Sequence, residues 1–274
     1  MKKIAIFLSL IISVSAQDNT APTMTITALT STPEVTTLAG SGSQGSANGT
    51  GTAAAFYLPT DVALDGSGNV YVGDQYNHLI RKITSGGVVS TLAGSGSQGS
   101  TNGTGTAASF YKPSGVAVDG SGNVYVADKD NHLIRKITSG GVVTTLAGSG
   151  SVGSANGTGT AASFNYPSGV AVDGSGNVYV GDWGNHLIRK ITSAGVVSTF
   201  AGSGSAGSAN GTGTAATFNH PYGVAVDGSG NVYVADYLGN HLIRKITSAG
   251  VVTTLAGSGS SGSANGTGTA ASFN

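Results

Sequence analysis

Residues 110–163 read FYKPSGVAVDGSGNVYVADKDNHLIRKITSGGVVTTLAGSGSVGSANGTGTAAS, and the chain repeats this unit with few changes. The string Asn-His-Leu-Ile-Arg-Lys-Ile-Thr marks the repeat, because it begins at Asn77, Asn131, Asn185 and Asn240, at spacings of 54, 54 and 55 residues. A repeat of this length that contains several short strands is typical of β-propeller blades. The period therefore predicts an all-β array rather than helical repeats or a solenoid of β-coils, which would have shorter repeats.

Each unit contains four predicted strands separated by turn signals. Gly115 to Asp119 is followed by Gly-Ser-Gly-Asn, and Val124 to Asp128 returns antiparallel, since glycine supplies the positive φ of tight hairpins. The third and fourth strands, on either side of Ser-Gly-Gly, are His132 to Thr138 and Val142 to Ala147. The long stretch from Ser149 to Pro167 then carries the chain from the outer strand of one blade to the inner strand of the next.

Charge and cysteine content exclude several classes of function. The 274 residues carry 12 basic and 12 acidic side chains, so there is no basic field of the kind that nucleic-acid binding needs. The absence of cysteine removes disulfides, cysteine zinc sites and thiol nucleophiles. Because a repeat array forms one continuous architecture, we expect one structural domain whose stability comes from packing.

The first 34 residues do not belong to the repeat. A positively charged start, an apolar run from Ile4 to Val14 and small residues up to Ala16 predict a signal peptide over residues 1–16. A membrane anchor is the alternative, but the run is shorter than the ~20 residues that span a bilayer. Residues 17–34 are rich in threonine and proline and predict a linker before the propeller at 35–274. We therefore expect a secreted protein, extracellular or periplasmic, with no membrane span after signal removal.

Three repeated segments carry a family resemblance. Pro-x-Gly-Val-Ala-Val-Asp, Gly-Asn-Val-Tyr-Val-Ala-Asp and Asn-His-Leu-Ile-Arg-Lys-Ile resemble the NHL repeat, which is named for its Asn-His-Leu triplet. The resemblance covers residues 35–274 and implies an NHL-type β-propeller, most often of six blades. It also implies an interaction module, since family members serve in extracellular sensors, adhesion proteins and RNA-binding regulators, and occasionally as lyases.

The number of units departs from a six-bladed ring. We expect a leading outer strand, Val35 to Ala39, followed by four complete four-stranded blades. The chain stops at Phe273-Asn274, where the next inner strand should begin. Three interpretations stay open: the sequence is part of an incomplete six-bladed ring, the four blades close into a small ring, or an open arc associates with another copy through its open blade edges.

Histidines and aspartates recur at one position of every unit: His78, His132, His186 and His241, and Asp74, Asp128, Asp182 and Asp236. Equivalent positions are spread around a ring, so we expect the histidines to pack or hydrogen-bond and the aspartates to accept backbone N–H groups. The Asp-Gly-Ser-Gly-Asn turns resemble calcium loops only weakly, because Glu34 is the only glutamate. Carboxylates that serve acid–base catalysis should break the repeat, and the candidate of this kind is Asp61, where other units have glycine. We predict no catalytic residues, metal or cofactor, and a lyase or lactonase-type enzyme is the remote alternative.

The copies differ mainly in two short windows, one before the inner strand and one after the second strand. Propeller connectivity places both windows on one face, and they are rich in residue types favoured at binding surfaces. Neutral drift in exposed loops would also produce such variation. The candidate binding residues are Tyr57, Gln75, Tyr76, Tyr111, Lys112, Lys129, Asp130, Tyr166, Trp183, His220, Tyr222 and Tyr237. They predict a binding or adhesion module for a protein or glycan, with a purely structural surface repeat protein as the alternative.

Every unit also contains the N-glycosylation pattern Asn-Gly-Thr. It occurs at Asn48, Asn102, Asn156, Asn210 and Asn265. In a host that glycosylates proteins these are candidate modification sites, and otherwise they are Asn-Gly turns in a flexible connection.

Overall fold

The computed structural model describes residues 34–274. The signal peptide expected at residues 1–16 and nearly all of the linker expected at 17–34 lie outside the described residues. The chain divides into two compact units, Met1–Thr37 and Leu38–Asn274, and the strands of the described residues lie in the second unit. Within the described range, no helix has the length and apolar character that crossing a membrane requires.

Residues 38–274 form four antiparallel sheets of five strands, arranged as the four blades of a β-propeller. The first blade contains β1 Gly49–Thr50, β2 Pro59–Leu64, β3 Val70–Asp74, β4 Leu79–Ile83 and β5 Val88–Ala93, in the sheet order β1-β5-β4-β3-β2. The later blades repeat this order. The second blade contains β6 Gly103–Thr104, β7 Pro113–Val118, β8 Val124–Asp128, β9 Leu133–Ile137 and β10 Val142–Ala147. The third blade contains β11 Gly157–Thr158, β12 Pro167–Val172, β13 Val178–Asp182, β14 Leu187–Ile191 and β15 Val196–Ala201, and the fourth contains β16 Gly211–Thr212, β17 Pro221–Val226, β18 Val232–Asp236, β19 Leu242–Ile246 and β20 Val251–Ala256.

Short 3₁₀ helices occur at two positions of the repeat. One type follows the two-residue strand, at Gly51–Ala53, Gly105–Ala107, Gly159–Ala161 and Gly213–Ala215, and recurs at Gly268–Ala270. The other type follows the second strand of the meander, at Gln75–Asn77, Lys129–Asn131 and Trp183–Asn185. The fourth blade has a turn instead of the second type, because an extra residue lies in its Tyr237-Leu238-Gly239 segment and Gly239 adopts a φ of 77°.

The hairpin that joins the first two meander strands is closed by an aspartate. In the first blade Asp65 Oδ1 accepts the N–H groups of Ser67 and Asn69, at 2.8 and 2.9 Å. Its Oδ2 accepts the Asn69 amide and the Tyr71 hydroxyl, at 2.8 and 3.1 Å. These bonds, led by that from the Asn69 side chain, lower the pKa of Asp65 to about 2. The Asp-Gly-Ser-Gly-Asn segments are therefore hairpin turns, as predicted.

Successive blades pack face to face through apolar side chains. β2 packs against β7, β7 against β12, and β12 against β17. Between the first two blades, Tyr71 and Ile80 meet Phe110, Val116 and Val126 in one buried cluster. This sandwiching explains why all five residues of β8 and of β13 are buried, since each strand is covered by a blade on both sides.

The four-stranded meander predicted for each unit is confirmed, but two details of the prediction differ from the structure. Residues 35–39 form no strand, so the expected leading outer strand is absent from the described residues. Each sheet instead gains a fifth strand from the connecting segment that precedes its meander, as Gly49 and Thr50 pair with Val89 and Val88. A two-residue Gly-Thr strand shows no alternation of apolar and polar residues, so the sequence predicted only a connection there.

The first and fourth blades do not cover each other. Val62 on the first blade is 62% exposed, whereas its equivalents Val116 and Val170 are 3% and 4% exposed. Leu64 is 67% exposed, whereas its equivalents Val118 and Val172 are half-buried. The interpretation of four blades closed into a small ring is therefore wrong for this structure, which has two uncovered blade sides.

Candidate binding face

Histidine side chains join successive blades at one end of the propeller. The Nδ1 atoms of three histidines accept backbone N–H groups of the next blade at 3.1 Å, in the pairs His78–Lys112, His132–Tyr166 and His186–His220. Both residues of each pair adopt the left-handed conformation, with φ between 49° and 57°. L-residues rarely adopt this conformation, and strain of this kind persists only where surrounding contacts impose it. Here the conformation aims the N–H group at the imidazole.

Burial favours the neutral form of these imidazoles. It is the main cause that lowers the pKa of His78, His132 and His186 below the ordinary value. Lys112 adds to the lowering of the pKa at His78, and Asp130 opposes it at His78 and His132. A neutral imidazole can accept at Nδ1, which is the role observed. The structural role expected for the repeated histidines is confirmed for His78, His132 and His186, and the bond across the blade boundary is the part that the sequence did not reveal.

In each blade a buried aspartate is held by hydrogen bonds and by an ion pair with an arginine. In the second blade Asp128 Oδ1 accepts the N–H of Tyr111 at 2.8 Å, and its Oδ2 accepts the Asn131 amide at 2.8 Å and Arg135 Nη1 at 2.9 Å. Burial raises the pKa of Asp128 to about 6, and these three hydrogen bonds oppose the rise. The repeated aspartates therefore accept a backbone N–H group at the turn, as expected, and they also accept the side-chain amide of the neighbouring asparagine.

Sequence reasoning missed the arginine. Arg135 is fully buried, donates to Asn102 Oδ1 at 2.8 Å and lies 5.3 Å from the centroid of the Phe110 ring. Equivalent ion pairs occur at Arg81–Asp74, Arg189–Asp182 and Arg244–Asp236. The sequence signal that could have indicated a buried arginine is its recurrence, in every unit, at the same position of the third strand, in the string Leu-Ile-Arg-Lys-Ile.

The two variable windows lie side by side and are hydrogen-bonded to each other. In the first blade the N–H of Tyr76 donates to the carbonyl of Tyr57 at 3.1 Å. In the second blade the N–H of Asp130 donates to the carbonyl of Tyr111 at 3.1 Å. Together with the histidine and aspartate bonds, these contacts fix the backbone of both windows at the same end of the blades.

The side chains of the windows, together with Tyr222 on the inner strand β17, form a continuous surface, which we call the aromatic face: Tyr57, Tyr76, Tyr111, Lys112, Lys129, Asp130, Tyr166, Trp183, His220, Tyr222 and Tyr237. On the first two blades the rings of Tyr57 and Tyr76 lie 5.3 Å apart. Lys112 Nζ lies 5.5 Å from the Tyr76 ring and 5.4 Å from the Tyr111 ring, and it pairs with Asp130 at 2.9 Å. One lysine thus connects the windows of neighbouring blades.

Trp183 is the centre of the other half of the aromatic face. Its ring lies 4.2 Å from that of His220 and meets the ring of Tyr166 edge-on at 6.3 Å. Lys129 Nζ lies 5.6 Å from the Trp183 ring and 5.9 Å from the Tyr222 ring, which in turn lies 6.0 Å from Tyr237. These rings pack against one another and are only partly covered, so this half of the surface presents aromatic area to solvent.

One candidate residue does not belong to this surface. Gln75 is buried, at 9% exposed, although Lys129 and Trp183 at the same position of the next two blades are partly open, and its prediction as a binding residue is corrected accordingly. Tyr76, Tyr166 and Tyr237 are the most open rings among the candidates, at 41%, 38% and 49% exposed.

A cavity of about 220 Å³ lies where the inner strands of the four blades converge. Its lining includes Thr60, Asp61, Ser114, Ser168 and Tyr222. Asp61 Oδ2 accepts the N–H of Val116 in the next blade at 2.9 Å, and burial raises the pKa of Asp61. The aspartate that breaks the repeat therefore bonds two blades together. Within residues 34–274 no three His, Asp or Glu side chains are grouped as a metal would need.

The asparagines of the Asn-Gly-Thr patterns are exposed, and four of them accept a hydrogen bond from a buried arginine. Asn48, Asn102, Asn156 and Asn210 accept Arg Nη2 groups through Oδ1 at 2.8 to 2.9 Å. Asn265 is also exposed. Glycosylation at these five positions stays a prediction, and the first four have a structural role in addition.

These features define a β-propeller assembled from one repeated blade, with structural ion pairs inside and a varied aromatic surface at one end. The family model described as NHL repeat matches residues 56–83, 110–137, 164–191 and 218–246. The chain belongs to the NHL-repeat β-propeller family.

Protein SUPPRESSOR OF QUENCHING 1, chloroplastic, of Arabidopsis thaliana is 31% identical over 229 residues, which are 77% of this chain and 22% of that protein. NHL repeat-containing protein 2 of Gallus gallus is 37% identical over 95 residues, 34% of this chain and 13% of that protein. The chain thus spans 22% or less of the length of these relatives. A crystal structure of a protein of unknown function from Bacteroides thetaiotaomicron is 27% identical, with a TM-score of 0.54 over 71% of this chain and 46% of that one.

Proposed function

We propose that this chain is a secreted, non-enzymatic binding or adhesion module that contacts a protein or a glycan through the aromatic face. The observation that carries the proposal is a coincidence of two properties. The positions at which otherwise near-identical units differ are the positions that bring tyrosines, the single tryptophan and two lysines together on one surface.

The chemistry of the aromatic face suits recognition. Aromatic side chains supply a large apolar area with few rotatable bonds, and tyrosine and tryptophan add a polar group at the edge. Lys112 and Lys129 lie over ring faces, and Asp130 adds one acceptor beside them. Flat apolar rings bordered by a few charges can stack on sugar rings or receive apolar side chains of a protein.

The rigidity of the backbone supports the same proposal. Tyr111 directly follows the core residue Phe110, and Tyr166 lies two residues after the core residue Phe164. Their N–H groups donate to Asp128 and His132. Side chains on a fixed backbone lose less conformational entropy when a ligand binds, so more of the contact energy is retained as affinity. The repeated network therefore acts as a scaffold, and the windows can vary without loss of the fold.

The proposal is tested by applying the labelled whole chain to a glycan array and a protein array. Trp183→Ala and Tyr166→Ala should each weaken binding to any ligand found by about 30-fold, because a truncated aromatic anchor typically costs ~2 kcal/mol or more.

The matched controls are Ser121→Ala and Ser175→Ala, which lie in hairpin turns at the opposite end of the blades and should leave affinity unchanged. Binding that persists in both aromatic variants would reject the aromatic face as the contact surface. No binding on either array would favour a purely structural repeat protein.

A further inference from the structure

The two end blades expose apolar sides that their counterparts bury. We call the exposed side of the first blade, with Val62 and Leu64, the front side, and the exposed side of the fourth blade, with Ala225, Ile243 and Leu255, the back side. Leu255 is 47% exposed, and Ala225 is exposed as well. Exposed apolar sides of this kind are unusual for a surface that faces only water.

The front and back sides are the two halves of an interface that the chain already forms three times. At the boundary of blades one and two, Ala63 and Leu92 of one blade pack with Val118 of the next. The repeat makes Ala225 and Leu255 the equivalents of Ala63 and Leu92, and it makes Leu64 the equivalent of Val118. The cluster between blades two and three uses the same three positions, through Ala117, Leu146 and Val172. The cluster between blades three and four uses two of them, through Phe200 and Val226. Shape complementarity between the two sides is therefore built into the repeat.

A hydrogen bond that every internal boundary makes is also missing at the back side. His241 Nδ1 is buried and has no partner in residues 34–274, unlike the same atom of His78, His132 and His186. In those three boundaries the donor is the N–H of the residue 34 positions later, in the left-handed conformation. At the front side Leu58 holds that same position with a φ of 50°, and no histidine precedes it in the chain.

We propose that the front side of one copy docks on the back side of a second copy, in the geometry of the internal blade boundaries. His241 Nδ1 of one copy then accepts the N–H of Leu58 of the other, which satisfies the buried acceptor. The contact joins two different surfaces, so it is heterologous and builds a closed ring or an open chain of copies. The occupant is a second copy because each uncovered side presents the residues that fit the other.

Sedimentation velocity of the whole chain tests this assembly. The wild type should associate as its concentration rises. Leu64→Glu, which places a charge on the front side, should remove association, and so should Leu255→Glu on the back side. Both side chains are exposed in the single copy, so each variant should keep the wild-type far-ultraviolet circular dichroism and melting temperature. The matched control is Val142→Glu, which adds the same charge at a residue 42% exposed on the outer strand β10 and should associate like the wild type.

A mixing experiment identifies the head-to-tail geometry. The Leu64→Glu copy retains an intact back side and the Leu255→Glu copy retains an intact front side, so a mixture should form a one-to-one complex and nothing larger. His241→Ala should weaken association of the otherwise unchanged chain by about tenfold, which corresponds to the loss of one hydrogen bond.

Several results would overturn the proposal. A wild type that stays monomeric at every concentration would show that a second copy does not occupy these sides. Monomeric behaviour of the mixture, or association that survives both glutamate variants, would show that any contact uses other surfaces. If a longer chain with further repeats is monomeric and protects Leu64 and Leu255 from solvent, those repeats are the occupant. Ala225→Glu provides a second back-side variant should Leu255→Glu fail to fold.

Discussion

Replacing Arg135 with methionine removes one member of a buried ion pair from the second blade. Arg135 and Asp128 are both fully buried, and their Nη1 and Oδ2 atoms lie 2.9 Å apart. Arg135 also donates to the carbonyls of Ser109 and Thr101 and to Asn102 Oδ1. Removing one partner of a buried pair leaves an uncompensated charge and typically costs about 3–5 kcal/mol. Because three further acceptors lose their donor here, we expect a cost at the upper end of that range.

Urea unfolding followed by circular dichroism measures this loss, with Lys136→Met as the matched control. Lys136 lies next to Arg135 on β9 but is only half-buried, with Nζ 5.6 Å from the Tyr125 ring, so its replacement should change stability by about 0.5 kcal/mol or less. The chain also supplies an internal replicate, since Arg189→Met in the third blade removes the same set of contacts.

The pH dependence gives this prediction a second readout. Burial already raises the folded pKa of Asp128 to about 6, and loss of Arg135 raises it further. A carboxyl whose folded pKa exceeds its unfolded pKa loses stability as the pH rises through the folded pKa. The difference between wild type and Arg135→Met should therefore grow above pH 6. A cost below about 1 kcal/mol that equals the Lys136→Met cost at every pH would refute the structural role assigned to the ion pair.

Three further predictions follow from the blade boundaries and the N-terminus. Gly115→Ala should destabilise the protein by about 1–3 kcal/mol, since its Cβ would overlap the carbonyl oxygen of Ser168 and lie 2.8 Å from Gly169 Cα. Gly223→Ala, whose Cβ would meet only Ala235 Cβ at 3.7 Å within one copy, should unfold at the wild-type urea concentration when both are measured as monomers. His132→Ala should cost about 1–3 kcal/mol at pH 8. Because burial lowers the folded pKa of His132, its contribution is complete above the unfolded value near 6.5 and is lost as the pH falls through the folded pKa, so the measured cost should shrink at pH 5. N-terminal sequencing of the exported protein should begin at Gln17, and recovery of Met1 from a cytosolic pool would contradict the signal peptide.

The sequence predicts the meander of each blade well because its determinants are local. The strand bounds Val124 to Asp128 and Val142 to Ala147 agree with the structure, since alternating apolar residues and glycine turns act over a few positions. The same connectivity correctly brings Tyr111 and Asp130 together at one end of the blade. The strands and turns of one unit can therefore be derived from the sequence of that unit.

Contacts across the blade boundary were not predictable in this way. The bond from Tyr166 to His132 joins residues 34 positions apart and needs a left-handed backbone at both. Arg135 looks like a strand residue open to solvent until the connecting segment with Thr101 and Asn102 covers it. The exposure of Leu64 and Leu255 likewise depends on the number of blades that are present and on how they are arranged. These features arise from tertiary geometry, which a pattern of residue types within one unit does not contain.

Trp183 fluorescence tests the proposed binding face most directly, because Trp183 is the only tryptophan in the chain and lies in the middle of that face. A ligand found on either array should shift or quench the Trp183 emission on titration, with the same dissociation constant as an independent calorimetric titration. The response should be unchanged in Ser121→Ala and Ser175→Ala and should weaken in Tyr166→Ala. A ligand that saturates the protein in calorimetry with no change in Trp183 emission, and that is lost on substitution of Ser121 or Ser175, would contradict the account.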